Sequence, residues 1–320
     1  MNPDAALAIP ELAASGALPA EQVPRLLRLA RGELLSVHAE LRALLYAGVL
    51  LLTGGVGLLV EQNLDRIGPL AIASALALAA AAALGWVVRV APPFSWQEVA
   101  SPNLAFDYLL LLGILLVAAD LAYCEAAFGL LGVHRSWHLL IVAGLAGAAA
   151  FRFDSRVVFS LALSSFAAWR GVSLTLAGAA PWSRNGAWRW NAIACGLGFA
   201  AFGLGLARSR RKPHFEPVAV HLGCLLALGG IGLGMIDESR GAGLAWAGAL
   251  LLAGGALAGA AYRARRFPLF AYGVVAAYAG LSRLLEIRDA AAGCLWFSAS
   301  SVMMIAGLLA AHRRMREAAA

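Results

Sequence analysis

Ten stretches of 15 to 22 residues run along this chain with almost no charge, and that pattern limits what it can fold into. Bounded by charge or proline, they fall at 43–60, 69–88, 106–127, 137–151, 156–176, 189–207, 217–236, 243–261, 267–284 and 291–311. Crossing about 30 Å of hydrocarbon takes roughly 20 helical residues. Within hydrocarbon a backbone amide finds no water, so it must bond inside its own helix. The sequence therefore predicts an all-α integral membrane protein with about ten transmembrane helices.

Composition points the same way. Of 320 residues, 61% are hydrophobic and 13% charged, with a mean hydropathy of +0.77. A soluble domain carries roughly 25% charged residues, so this chain lacks the polar surface to cover a globule in water. Its net charge of +7 and pI near 9.7 come from arginines at the ends of apolar runs, plus the one lysine, Lys212. That placement is the signature of membrane topology and argues against nucleic-acid binding. Four cysteines, Cys124, Cys195, Cys224 and Cys294, sit in or beside apolar runs without Cys-x-x-Cys spacing. They are read as small apolar fillers, with no metal site or disulfide framework.

Arginine placement sets the orientation. With ten spans, the amino terminus, the even-numbered loops and the carboxyl terminus share one side. That side carries Arg25, Arg28, Arg31, Arg42, Arg89, Arg152, Arg156, Arg208, Arg210, Arg211, Lys212, Arg263, Arg265, Arg266, Arg313, Arg314 and Arg316. The other side carries Arg66, Arg135, Arg184, Arg189, Arg240, Arg283 and Arg288. Since basic residues concentrate in short cytoplasmic loops, both termini are expected in the cytoplasm. Trp137, Trp182, Trp188, Trp190, Trp246 and Trp296 lie near the opposite helix ends, where indole rings anchor at the interface.

Residues 1–42 lack the basic start and apolar core of a leader, and are expected to form a cytoplasmic amphipathic helical hairpin. Val23, Leu26, Ala30, Leu34, Val37 and Leu41 recur every three or four residues, which places them on one helix face. The hairpin is read either as a docking module for another membrane or cytoplasmic protein or as a helix lying on the bilayer. A tail at 312–320 closes the chain.

Three inner junctions read alike: AAFRFDSRVVF (149–159), LARSRRKPHF (206–215) and AYRARRFPLF (261–270). The last two share Arg-x-Arg-Arg-x-Pro-x-Phe, and Arg152, Arg208 and Arg263 are 56 and 55 residues apart. A period of this size suggests repeated two-helix hairpins, although two spans with short loops occupy about that length in any case. Five-plus-five inverted repeats remain an alternative. Glycine clusters at Gly54-Gly55-x-Gly57, Gly230-x-Gly232-x-Gly234 and Gly255-x-x-x-Gly259 predict close helix packing.

Ionisable residues inside spans are costly and are functional candidates by default. Asp120 and Arg170 lie at matching depths, each about 20 Å from the inner end of its helix at 1.5 Å per residue, and form a candidate intramembrane polar pair. Glu125, His134 and His138 form a candidate outer-face polar cluster without metal-ligand spacing. Arg152, Asp154 and Arg156 mark a tight cytoplasmic hairpin turn, with Asp154 expected to pair with the flanking arginines. No nucleophile–base pair, metal motif or nucleotide fingerprint is present, so no catalytic residue, metal or cofactor is assigned.

The stretches SGALPAEQVPRLL, YAGVLLLTGGVGLLVEQNLDRIG, DYLLLLGILLVAADLAY and RFDSRVVFSLALSS resemble the DUF2157 group of bacterial membrane proteins over roughly the first 175 residues. Leu64 follows Asn63 where the group's pattern carries a tryptophan. The resemblance implies a multi-pass protein of the bacterial inner membrane with a small cytoplasmic amino-terminal module, and brings no activity with it. Two functions lead, with a membrane-embedded enzyme as a third. One is a non-enzymatic accessory or assembly factor acting through residues 1–42. The other is a small-molecule or ion transporter using polar groups near Asp120 and Arg170.

Overall fold

A computed structural model describes residues 23–24, 38–63, 68–132, 136–176, 186–235, 240–285 and 290–317. Apart from Val23, Pro24 and residues 38–42, the expected amino-terminal hairpin lies outside them, as do His134 and residues 318–320 of the tail. The described residues form ten α-helices, one for each apolar stretch: α1 His38–Asn63, α2 Pro69–Val90, α3 Leu104–Phe128, α4 Trp137–Phe153, α5 Arg156–Leu176, α6 Ala187–Ser209, α7 Glu216–Gly234, α8 Arg240–Arg263, α9 Phe267–Leu284 and α10 Ala290–Glu317.

Among the described residues, seven segments are long and apolar enough to cross a membrane: those of α2, α3, α6, α8, α9 and α10, and Pro213–Gly234, which includes α7. α4 and the Leu44–Gly55 part of α1 are shorter apolar helices. The α5 sequence holds four serines and Arg170, which lower its hydropathy. Large side chains such as Leu78, Leu252 and Leu295 are more than 70% exposed, which fits a surface solvated by lipid rather than water.

The chain divides into two compact units, residues 51–304 and residues 1–50 with 305–320. In the first, neighbouring helices pair as hairpins, α2 with α3, α4 with α5, α6 with α7 and α8 with α9. Local sequence dictates the helix ends. Pro69 opens α2, where a missing N–H costs nothing, and Pro92-Pro93 follow its last residues. Asn103 caps α3, its Oδ1 accepting the Phe106 N–H at 2.9 Å. Gly129, left-handed with φ 58°, ends the same helix.

Glycines set how closely two of these hairpins pack. A Cβ on Gly223 of α7 would lie 2.5 Å from the Gly196 carbonyl oxygen of α6. In α8–α9, a Cβ on Gly273 would lie 2.5 Å from the Ala258 nitrogen and 2.6 Å from the Gly254 oxygen. Backbone thus touches backbone, maximising dispersion contact where burial from water drives nothing. The clusters expected to serve this purpose do so only in part. Gly230 and Gly234 meet neighbours, whereas Gly54, Gly55, Gly232, Gly255 and Gly259 have nothing within 4 Å. Helix rotation selects Gly254, one residue away from the expected pair.

Replacing Gly223 with Ala is therefore expected to destabilise the detergent-solubilised protein by about 1–3 kcal/mol. Gly198→Ala, with nothing within 4 Å, should leave it unchanged or gain up to about 1 kcal/mol of helix propensity. Paired thermal unfolding of the two variants reads the difference.

Candidate functional site

The three arginine-bearing junctions share a backbone conformation as well as a sequence. Asp154, Arg210 and Arg265, each two residues after the aligned arginine, have φ of 59°, 54° and 54° and end α4, α6 and α8. With Lys212 they are all the non-glycine residues of positive φ among the described residues. Such conformations cost side-chain-bearing residues about 1–3 kcal/mol and persist where the surroundings hold them. After α6 the Arg211 N–H bonds to Leu206 O at 3.2 Å, and after α8 the Arg266 N–H bonds to Ala261 O at 2.9 Å. These are the same six-residue closure, 55 positions apart.

Here Asp154, Lys212, His214 and Glu216 gather, all with buried side chains. The Lys212 ammonium donates to Asp154 Oδ1 at 2.6 Å, with side chains 0% and 4% exposed. His214 Nε2 lies 3.1 Å from the same oxygen, outside hydrogen-bonding geometry, and both its ring nitrogens are buried without a hydrogen-bond partner. Beside this pair, Phe159 and Phe215 stack at 4.5 Å and Phe151 meets Phe215 at 5.3 Å. Phe159 and Phe215 occupy corresponding places in the first two repeats. Their rings exclude water and strengthen the Coulomb attraction. A second link joins the next turns, where Arg266 donates to the buried carboxylate of Glu216.

The α2–α3 loop, residues 91–103, is strapped over this end. Val99 N–H donates to Asp154 Oδ2 at 3.2 Å, and Lys212 N–H donates to Trp96 O at 2.8 Å. Arg152 donates to Pro92 O at 3.0 Å, and Arg156 pairs with Glu98 at 2.8 Å across an exposed gap. Lys212 Nζ stands 4.9 Å from the Phe94 ring centroid, and the Arg211 guanidinium 5.1 Å from that of Trp96. The expected local pairing of Asp154 with Arg152 and Arg156 is thus replaced by partners that lie far off in sequence. The left-handed turn at Asp154 frees its carboxylate from its own helix, and each flanking arginine reaches the strap instead.

The polar candidates inside the helices find separate neighbours. Asp120 accepts from Cys124 Sγ at 3.7 Å on its own helix. Arg170 Nε donates to Asn191 Oδ1 at 3.0 Å, joining α5 to α6, and its guanidinium lies 5.7 Å from the Trp169 ring. No ion pair joins Asp120 to Arg170 among the described residues. Glu125 is buried and accepts the Leu131 N–H at 2.8 Å, closing the turn after α3. His138 is half-buried on the first turn of α4.

Lys212, His214, Glu216, Glu98 and Asn191 were not singled out by sequence reasoning. The signal available for Lys212 was its being the only lysine among 25 basic residues. Glu216 offered another, as an acid directly after an arginine-rich turn and at the head of an apolar run.

Breaking the buried pair from one side, by Lys212→Met or Asp154→Asn, should cost about 3–5 kcal/mol, because one charge is left without its partner. The double variant should recover a large part of the loss. A double-mutant cycle of unfolding free energies in detergent measures the coupling, and additive losses would contradict it.

No curated protein sequence and no solved structure matches the chain. One family model does, over residues 10–159, from the amino-terminal segment through the strap and the Asp154 turn. Over that length the chain is similar to the family described as "Predicted membrane protein (DUF2157)".

Proposed function

We propose that all ten helices cross the inner membrane of a bacterium, and that the ion-paired turns face the cytoplasm together with both chain ends. On this reading the protein is a non-enzymatic accessory or assembly factor. It presents residues 1–42 and the arginine-bearing turns to another protein. The observation that carries the reading is where the polar groups are invested. Asp154, Lys212, His214 and Glu216 are buried at the turns, where they lock the hairpins to one another. Within the spans, Asp120 bonds to Cys124 and Arg170 to Asn191, both neutral side chains. A locked inner face suits a platform, whereas a transport cycle needs hairpins that move apart.

Transport of a small molecule or ion is the second reading, favoured by the Arg170–Asn191 bond between α5 and α6.

Reporter tags on the two ends should both register the cytoplasmic compartment; opposite compartments would remove the topology. Affinity capture of the full chain from solubilised membranes should retain a specific protein that is lost on deleting residues 1–40. Unchanged capture after that deletion counts against the platform. Uptake into vesicles should not exceed that of protein-free vesicles. Uptake that Asp120→Asn abolishes would establish the transporter instead.

A further inference from the structure

The turns sort their charges in a way that leaves a recognisable surface. Their acids are already engaged: Asp154 with Lys212, Glu216 with Arg266 and Glu98 with Arg156. Among the described residues no ion pair engages Arg208, Arg210 or Arg263, and all three side chains are exposed. Arg208 and Arg263 are held at corresponding places, 55 residues apart, by the repeated left-handed turn. The strap held by Arg211 and Lys212 of the same turn as Arg210 carries two exposed aromatics, Phe94 at 46% and Trp96 at 48%, packed edge to face at 5.0 Å. The Arg211 guanidinium lies over the Trp96 ring.

These are two independent marks of one environment. Indole and phenyl rings at a helix end settle at the level of lipid headgroups. A guanidinium offers paired N–H donors whose fork matches two oxygens of a phosphate. We infer that Arg208, Arg210 and Arg263, with Trp96 and Phe94, form a docking surface for the phosphodiester headgroups of anionic phospholipids. The acid–base pairs make it selective, because they bury the Asp154 and Glu216 carboxylates and pair the exposed Glu98 with Arg156. The inference requires only that the chain sit in a bilayer. It can therefore fail while the proposed topology and platform role stand, and the reverse.

The test reconstitutes the full chain into vesicles of equal parts phosphatidylglycerol and phosphatidylcholine, extracts it in mild detergent, and counts bound lipids by native mass spectrometry. Wild type should retain phosphatidylglycerol over phosphatidylcholine by roughly fivefold or more. The combined Arg208→Gln, Arg210→Gln and Arg263→Gln variant should bring that ratio close to unity. The matching triple lysine variant, which keeps the charge, should hold most of it. A salt series on wild type needs no variant: raising NaCl from about 0.05 to about 0.5 M should erase the enrichment. Equal retention of the two lipids, enrichment untouched by salt, or enrichment that survives in the glutamine variant would each overturn the proposal. So would displacement of the lipid by millimolar inorganic phosphate, which would assign the surface to a soluble anion.

Discussion

Acyl chains offer nothing for a peptide group to bond to, and every feature of the fold follows from that deficit. It makes each apolar stretch a helix, and it withdraws the usual driving force for packing, since a leucine gains little by leaving lipid for protein. What remains is close contact between backbones and a few polar links placed where they cost least. The glycine-lined faces of α6–α7 and α8–α9 supply the first. The turns supply the second, at an end where each helix leaves carbonyl groups unpaired and charges remain near water before they pair.

Within this arrangement the Asp154–Lys212 pair has an unusual position. It is deeply buried, yet it sits in a turn rather than at mid-helix. Its desolvation is offset by the Val99 N–H on the carboxylate and the Phe94 ring near the ammonium. The family match ends at residue 159, so Asp154 and the strap belong to the matched part, while Lys212 and His214 come from beyond it. The polar core of the turns is thus shared between the two parts of the chain.

Much of the architecture was legible in the sequence, for reasons that can be traced to particular residues. Helix existence followed from apolar length alone, and ends came from prolines such as Pro69 and the arginine-rich junctions, whereas the cap at Asn103 was not read from the sequence. The in-register junctions also showed where one backbone conformation recurs, at Asp154, Arg210 and Arg265. Less could be read of the contacts between helices. Whether Gly254 or Gly255 faces a neighbour is a matter of about 100° of helix rotation, which an evenly apolar helix such as α8 does not encode. Nor does the sequence reveal that Asp154 looks past Arg152 and Arg156 to a lysine 58 positions on. Adjacent opposite charges invite local pairing, and only the left-handed turn, which aspartate tolerates, redirects the carboxylate.

The ladder of links from turn to turn has a consequence for biogenesis. Each acid precedes its base along the chain: Asp154 is made before Lys212, and Glu216 before Arg266. During synthesis the α4–α5 and α6–α7 hairpins therefore each emerge with a carboxylate whose partner arrives with the following hairpin. The order of translation becomes the order of closure: a chain cut short after α5 or α7 lacks the base that its latest buried acid meets in the full protein, until the next pair of helices arrives.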